Sequence, residues 1–228
     1  MSRKAIFFIL FVLGLSSMAS AQSRLVPTGR FVTPYPEEIM DDYAAKVDSL
    51  LLPDYGKTCF AFMVSPSWGG ESSCSYYGST SEFVLRVAEE NIWFYCFGAH
   101  SQNKSGITPD VKINEFRCKV SPKTAKFLYE LFYAAVFSSS YTAQVNGLDG
   151  VTYELLFDRG LYTAKFRSPR QGTNCHKLEE ILENVCTAIK NNDSATIDAS
   201  ESDAIELTEA FKELFPKDVE NHWAPHDL

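Results

Sequence analysis

A broad apolar pattern with helical spacing runs through residues 121–138. Ser121 is a suitable N-cap, and Pro122 occupies the first helical position, where its missing N–H costs nothing. We expect this helix to lie across a β-sheet, because its apolar stripe is too wide to face solvent. The stripe consists of Phe127, Leu128, Leu131, Phe132, Ala135 and Val136.

Three further stretches have the spacing of amphipathic helices. The first begins at Pro36 and is ended by Pro53. The second occupies residues 175–190, with Thr173 or Asn174 as its N-cap. The third occupies residues 202–215. Their apolar stripes are Ile39, Tyr43, Val47 and Leu50 in the first, Leu178, Ile181, Leu182, Val185 and Ile189 in the second, and Ala204, Leu207, Phe211 and Leu214 in the third.

Strand patterns begin at residues 58–64, a short run that is apolar on both faces and typical of an inner strand. Residues 65–80 follow without a period and are rich in glycine and serine, which predicts a long loop. Loops of this length are uncommon in compact domains and are often functional. We therefore expect residues 65–80 to be a candidate binding loop.

A hairpin is predicted for residues 81–88 and 91–98, with Val87 opposite Ile92. Its reverse face carries Trp93 and Tyr95, so this face is either covered by another element or available for binding. Residues 111–120 are predicted as the next strand. Its alternation of apolar and polar residues breaks, which predicts a bulge near Asn114 and Glu115.

A second hairpin is predicted for residues 151–157 and 161–168, with Arg159 and Gly160 as the turn. In this register apolar residues meet apolar residues and acids meet bases, which supports the pairing. The predicted pairs are Phe157 with Tyr162, Leu155 with Ala164, Tyr153 with Phe166, Glu154 with Lys165, and Thr152 with Arg167.

The predicted element order is α-β-β-β-β-α-β-β-α-α, an α+β fold with a mainly antiparallel sheet of about six strands. We expect one domain over residues 22–190. Composition predicts a flexible linker over residues 191–200, a C-terminal amphipathic helix over 201–216 and a loose tail over 217–228.

The first 21 residues have the pattern of a cleaved secretory signal peptide. Arg3 and Lys4 provide the basic start, residues 5–15 are apolar, and cleavage is predicted after Ala21. The next residue is Gln22, not Cys, so no lipid anchor is expected. These features predict an exported protein of bacterial origin, periplasmic or secreted, with no transmembrane segment in its mature chain.

The chain contains 21 basic and 29 acidic side chains, for a net charge of −8. Removing Arg3 and Lys4 with the signal peptide would make the net charge −10. This acidity argues against binding to nucleic acid or to an anionic membrane surface.

Six cysteines lie after the signal peptide, and an exported protein permits disulfides among them. Free buried thiols are the alternative, because a domain of this size does not need disulfides. Pairing of Cys175 with Cys186 is excluded, since eleven residues of one helix separate them by about 16 Å. The other cysteines are Cys59, Cys74, Cys96 and Cys118. No CxxC or CxxH spacing predicts zinc, and no motif predicts a cofactor.

Aromatic residues are the candidate ligand contacts. Trp68, Tyr76 and Tyr77 on the predicted loop could contact a flat ligand such as a sugar ring or a peptide. Alternatively, these side chains fold back onto the sheet. Trp93 and Tyr95 could form an aromatic platform, or they could face a helix in the core.

Catalytic chemistry has weak support, because Cys74 and His100 are the only loop thiol and imidazole that could act together. We therefore predict an exported non-enzymatic protein that binds a partner protein or a small molecule. Two alternatives remain: a secreted or periplasmic hydrolase with an unrecognised active site, and an assembly module that docks through its C-terminal helix.

Overall fold

A computed structural model of the protein describes residues 24–27, 37–101, 111–140, 150–158 and 161–215; the side chains of 37–39 and 99–101 are outside this description. The strands are β1 Val26–Pro27, β2 Phe60–Pro66, β3 Ser72–Tyr77, β4 Glu82–Ala88, β5 Ile113–Lys119, β6 Val151–Phe157 and β7 Tyr162–Arg167. The helices are α1 Glu37–Leu51, α2 Ile92–Ser101, α3 Pro122–Phe137, α4 Asn174–Lys190, α5 Ser194–Ala199 and α6 Glu201–Lys212, with a 3-10 turn at Tyr55–Lys57.

The strands form one antiparallel sheet in the order β1-β7-β6-β2-β3-β4-β5. Strand β2 lies in the middle, between β6 and β3, as expected for a run that is apolar on both faces. The α+β architecture with an antiparallel sheet is therefore confirmed. The short edge strand β1, which the sequence pattern does not predict, pairs with β7.

Helices cover both faces of this sheet, and two apolar clusters result. Alternate residues of β2 divide between them: Phe60 and Phe62 join a large cluster with α3, α4, α5 and α6. Ala61 and Met63 join a small cluster with α1 and α2. We call these two sides the large-cluster face and the small-cluster face.

Helix α3 forms as predicted and is the centre of the large cluster. The Ser121 Oγ accepts a hydrogen bond from the Thr124 backbone N–H at 3.1 Å, and Pro122 begins the helix. Every residue of the predicted stripe is buried. This stripe packs between the sheet and α6, which explains why so little of α3 needs to be polar.

Three other helices lie close to their predicted bounds: α1, α4 and α6. The N-cap of α4 is Thr173, whose Oγ1 accepts a hydrogen bond from the His176 N–H at 3.3 Å. All five residues of the predicted α4 stripe are buried. In α6, Ala204, Leu207 and Phe211 are buried against α3 and α4, so this helix packs on the main core.

The β6–β7 hairpin has the predicted register throughout. Glu154 lies opposite Lys165 and Tyr153 opposite Phe166, and the other three predicted pairs are also present. The rings of Tyr153 and Phe166 stack with centroids 4.9 Å apart. Cross-strand matching of side chains was sufficient to predict this register. The proposed turn residues, Arg159 and Gly160, lie outside the described residues.

The long loop predicted for residues 65–80 is wrong, because β3 lies within it. Strand β3 pairs with β2 on one side and β4 on the other. Its Cys74 and Tyr76 face the large cluster, while Ser73 and Ser75 are buried on the small-cluster face. The Ser73 Oγ donates a hydrogen bond to the Leu51 carbonyl at 2.6 Å, so a helix satisfies a serine that resembles a loop residue.

The hairpin predicted between residues 81–88 and 91–98 is also wrong in its second half. Residues 82–88 form β4, but its partners are β3 and β5, and Val87 lies opposite Ser72 and Asn114. Residues 92–101 form the helix α2. A run with almost no polar residue has no period, so spacing cannot distinguish a strand from a helix here.

No bulge interrupts β5, because its pairing with β4 runs without a break from Lys119 to Ile113. Val111 and Ile113 pack with the small cluster, whereas Phe116 and Cys118 pack with the large cluster. The predicted bulge assumed that all apolar residues must share one face. Because both faces of the sheet are covered, apolar residues of β5 can point to either face.

The stretch predicted as a flexible linker, residues 191–200, instead contains helix α5. Asp193 caps α5, since its carboxylate accepts a hydrogen bond from the Thr196 N–H at 3.2 Å. Ile197 is fully buried in the large cluster, and the Asp198 carboxylate accepts a hydrogen bond from Thr124 Oγ1. These contacts connect α5 to α3.

Two predicted segments lie outside the described residues: the signal peptide over residues 1–21 and the tail over 217–228. Their assignments stay predictions. Among the described helices, none has both the length and the apolarity needed to cross a bilayer.

Candidate functional site

The structure distributes the five sequence-predicted site residues over different surroundings. Trp68 is highly exposed in the connection between β2 and β3. Trp93 and Tyr95 lie on α2 and not on a strand. Tyr76 and Tyr77 are the last two residues of β3, on opposite faces of the sheet. Only some of these residues can therefore belong to one surface.

Tyr76 belongs to the core of the large cluster. Its ring stacks on Phe60 with centroids 5.2 Å apart and contacts Phe83 at 5.1 Å. Tyr77 is half-buried on the small-cluster face, where its hydroxyl accepts a hydrogen bond from Arg86 Nη1 at 3.4 Å. Both tyrosines have folded back onto the sheet, the alternative that the sequence left open.

Four exposed aromatic side chains lie on α2 and on the connection before β3. We call them the aromatic surface, defined as Trp68, Phe94, Tyr95 and Phe97, with exposed fractions of 74%, 48%, 39% and 42%. Trp68 and Phe94 are in contact, with ring centroids 5.6 Å apart. Phe97 follows Phe94 by three residues, which places it on the neighbouring turn of the helix.

The helical geometry of α2 explains which aromatic side chains face outward. Ile92 and Cys96, four residues apart, are buried against the sheet and α1. Phe94 lies two residues from each, which on a helix of 3.6 residues per turn is nearly the opposite side. Phe94 is not among the predicted site residues, because the strand predicted for residues 91–98 would point its side chain inward. Asn91, a good N-cap residue, was the signal that could have revealed the helix.

Trp93 connects α2 to α1. Its ring meets the ring of Tyr43 edge to face at 5.3 Å and lies 6.1 Å from Phe97. Trp93 is half-buried, so it supports the aromatic surface from behind and contributes less exposed area.

The first turn of α2 is attached to the rest of the fold by Glu71, a buried carboxylate. Its Oε2 accepts a hydrogen bond from the Ile92 N–H at 2.7 Å. Its Oε1 accepts from the Trp93 N–H at 3.2 Å and from the Tyr43 hydroxyl at 3.1 Å. Burial raises the pKa of Tyr43, and the negative charge of Glu71 raises it further, so Tyr43 remains a donor.

The segment that carries Trp68 is held by two further contacts. Asn91 caps α2, accepting a hydrogen bond from the Phe94 N–H at 3.0 Å, and its amide Nδ2 donates to the Gly69 carbonyl at 2.8 Å. A Cβ on Gly70 would lie only 1.9 Å from the carbonyl oxygen of Ala88. Trp68 therefore extends from a connection that is pressed against the end of β4.

The aromatic surface is of moderate size, and the two segments that carry it contain no charged residue. Its four side chains together expose about as much area as two whole aromatic side chains, roughly 400 Å². Tyr95 and Phe97 lie on either side of Phe94 around the helix, and Phe94 is in contact with Trp68. Exposed apolar patches on a monomer are often functional. Neither residues 65–70 nor residues 91–98 include Asp, Glu, Lys or Arg, although such residues make up 22% of the chain.

All six cysteines lie in the described residues and are free thiols. Cys74, the candidate nucleophile, is buried in the large cluster. Burial raises its pKa well above the ordinary value, with smaller contributions from Cys186 and Cys118. A substrate could not reach this thiol without unfolding, and the His100 side chain lies outside the description. Among the described residues, no group of three or more His, Cys, Asp or Glu side chains could hold a metal ion.

Two surface grooves lie elsewhere. One of about 420 Å³ lies between α4 and α6 and is lined by carboxylates, with Lys177 paired to Glu206 at 2.8 Å across it. The other, of about 320 Å³, lies beside β7 and is lined by Phe137, Leu161 and Tyr162. The first groove is acidic, and the second exposes two large apolar side chains, Leu161 and Tyr162, where the aromatic surface exposes four, so the aromatic surface is the better candidate.

Neither the models of known protein families nor the sequences of curated proteins match this chain. A function therefore has to be inferred from the geometry of the aromatic surface.

Proposed function

We propose that this protein is an exported, non-enzymatic binding protein whose ligand contacts the aromatic surface. The observation that carries this proposal is the contact between Trp68 and Phe94, two large apolar side chains that remain 74% and 48% exposed. A group of exposed large apolar side chains is informative where a single one is not, and tryptophan is enriched among residues that dominate binding energy.

The size of the surface favours a small ligand. A stable protein–protein interface buries about 800 Å² on each partner, roughly twice the exposed area of these four side chains. The uncharged segments around it, residues 65–70 and 91–98, favour a neutral ligand. A flat uncharged ring, such as one face of a sugar in an oligosaccharide, meets both conditions.

Docking through the C-terminal helix has less support. That function requires the stripe of Ala204, Leu207 and Phe211 to be available to a partner, but these residues are buried against α3 and α4. The hydrolase alternative has no observation in its favour among the described residues, since Cys74 is buried in the core.

Calorimetric titration with soluble neutral oligosaccharides of glucose and of N-acetylglucosamine tests the proposal, with an oligogalacturonate as the charged comparison. We expect saturable binding of a neutral sugar that Trp68→Ala weakens at least about tenfold. Leu161→Ala is the matched control, because Leu161 is also 74% exposed but lies beside β7, and it should leave binding unchanged.

Two outcomes would overturn this assignment. One is the absence of binding, or equal loss in Trp68→Ala and Leu161→Ala. The other is a concentration-dependent dimer, measured by sedimentation, that Trp68→Ala converts to monomer, which would assign the surface to a second copy of the chain.

Export has a separate test that does not depend on the ligand. The basic start, apolar run and small residues of positions 1–21 support cleavage after Ala21. Amino-terminal sequencing of protein recovered outside the cytoplasm should begin at Gln22. A chain that retains residues 1–21 and stays in the cytoplasm would contradict export without affecting the binding proposal.

A further inference from the structure

Glu71 has an unusual position for a carboxylate, because it is 1% exposed and, within the part of the chain that the structure describes, hydrogen-bonds to no lysine or arginine. Burying a charged group is costly unless hydrogen bonds replace its lost water. Here three donors replace it: two backbone N–H groups at the start of α2 and the hydroxyl of Tyr43 on α1.

Two of these donors lie at the N-terminus of α2, which strengthens their hydrogen bonds to the Glu71 carboxylate. The first N–H groups of a helix have no partner within the helix, and the helix dipole favours a negative charge there. Glu71 satisfies the N–H groups of Ile92 and Trp93, and Asn91 satisfies that of Phe94. The start of α2 is therefore attached to the residue that directly precedes β3.

Helix α2 also packs on the fold through its side chains. Ile92 and Cys96 are buried, and the ring of Trp93 meets that of Tyr43 at 5.3 Å. The other residues of 92–98 are half-buried or exposed, and an element with few buried apolar side chains is of the kind that opens before the rest of a fold. We therefore expect the hydrogen bonds from Glu71 to the first turn to contribute to the position of α2.

We propose that Glu71 is a positioning residue that holds α2 against the start of β3 and thereby keeps Phe94 in contact with Trp68. The proposal rests on the proposed function only in treating Phe94 as a ligand contact. The attachment of α2 can be measured without any ligand. Glu71 does not belong to the aromatic surface, and its side chain is covered by α1 and α2.

Glu71→Gln tests the proposal with almost no change in shape. A glutamine has one acceptor oxygen and one NH₂ group, so its nitrogen must face at least one donor that the carboxylate satisfied. We expect the amides of α2 to exchange with solvent about 10- to 100-fold faster in Glu71→Gln. Amides of Phe62 and Leu155, in the paired strands β2 and β6, should change less than about threefold.

Glu89→Gln is the matched control. Glu89 is a half-exposed carboxylate two residues before Asn91, and its contact with Lys112 is long, at 3.9 Å. Neutralising it should leave exchange in α2 unchanged. If Glu71→Gln fails to fold, Tyr43→Phe removes one of the three donors, and the α2 amides should exchange about threefold faster than in the wild type, while those of β2 and β6 stay unchanged.

Two results would overturn the inference. The α2 amides of Glu71→Gln could exchange at the wild-type rate, or the amides of α2 and of the β2–β6 pair could be accelerated equally. The second result would make Glu71 a support of the whole fold. Failure of the proposed function is distinguishable. If Glu71→Gln loosens α2 but Trp68→Ala leaves sugar binding intact, the positioning role stands and the binding site does not. If Trp68→Ala abolishes binding while the α2 amides of Glu71→Gln exchange as in the wild type, the binding site stands and the positioning role of Glu71 does not.

Discussion

The two faces of the sheet differ in how they are covered. The large-cluster face packs against four helices, and its buried side chains are mainly apolar, with rings such as those of Phe60, Phe62 and Phe132 among them. The small-cluster face packs against α1 and α2 and includes buried polar residues such as Ser73 and Arg86. Arg86 is paired with Glu115 at 2.9 Å.

This difference suggests a division of labour within one domain. The large cluster contributes most of the buried apolar area and therefore most of the stability. The small-cluster face carries α2 and the aromatic surface, where exposed apolar residues do not contribute to folding. Binding surfaces are commonly built on the less stable parts of a fold. The two faces should therefore also differ in the free energy of unfolding that a buried side chain contributes and in how readily each face opens.

The largest expected effect is the loss of stability in Leu131→Ala. Leu131 is fully buried on α3 in the large cluster, where its removal leaves a cavity that tightly packed neighbours cannot fill. We expect a loss of about 3–5 kcal/mol in the free energy of unfolding, measured by urea denaturation.

Leu51→Ala is the matched variant on the other face. Leu51 is also fully buried, at the end of α1 in the small cluster. We expect a smaller loss, about 2–3 kcal/mol, because fewer layers surround this cluster and α1 can move into the space. An equal or larger loss in Leu51→Ala would contradict the difference between the faces.

An intermediate effect is expected for Gly70→Ala, which tests the attachment of the Trp68 segment. The new Cβ would overlap the carbonyl oxygen of Ala88, and a backbone atom cannot move aside cheaply. We expect a loss of about 1–3 kcal/mol in the free energy of unfolding. A Cβ on Gly56 meets nothing within 4 Å, so Gly56→Ala should change stability by less than about 0.5 kcal/mol. Equal values for both variants would indicate that the Trp68 segment is not tightly held.

The smallest expected effect concerns two thiols with equal burial, Cys96 on α2 and Cys74 on β3, each 1% exposed. Burial raises the pKa of both, which lowers the fraction of reactive thiolate near neutral pH. Each thiol should therefore react only when its surroundings open. Because we expect α2 to open locally, we predict that Cys96 is alkylated at least about tenfold faster than Cys74 in native buffer.

Mass spectrometry of the labelled peptides, in the same native buffer and with each rate normalised to that of the unfolded chain, measures this ratio. Equal rates would mean that both cysteines become exposed only by global unfolding. The two faces would then behave as one cooperative unit, and the proposed division of labour would fail.

Several elements could be predicted from sequence because their interactions are local. Helix α3 is defined by the cap at Ser121 and by contacts three and four residues apart. The β6–β7 hairpin is defined by side-chain pairs across a short connection, such as Glu154 with Lys165. In the candidate site, Trp68, Trp93 and Tyr95 could be identified as aromatic residues, but neither their grouping nor the role of Phe94 could be derived.

The sequence by itself determined the α+β class, helix α3 and the β6–β7 hairpin, since each depends on residues that are close along the chain. Only the tertiary structure decided that residues 72–77 form a strand and that residues 92–101 form a helix. The reason is that their polar groups are satisfied from a distance: Ser73 by the Leu51 carbonyl, and the start of α2 by Glu71, 21 residues away along the chain. The aromatic surface exists because of these distant contacts, which no local pattern can reveal.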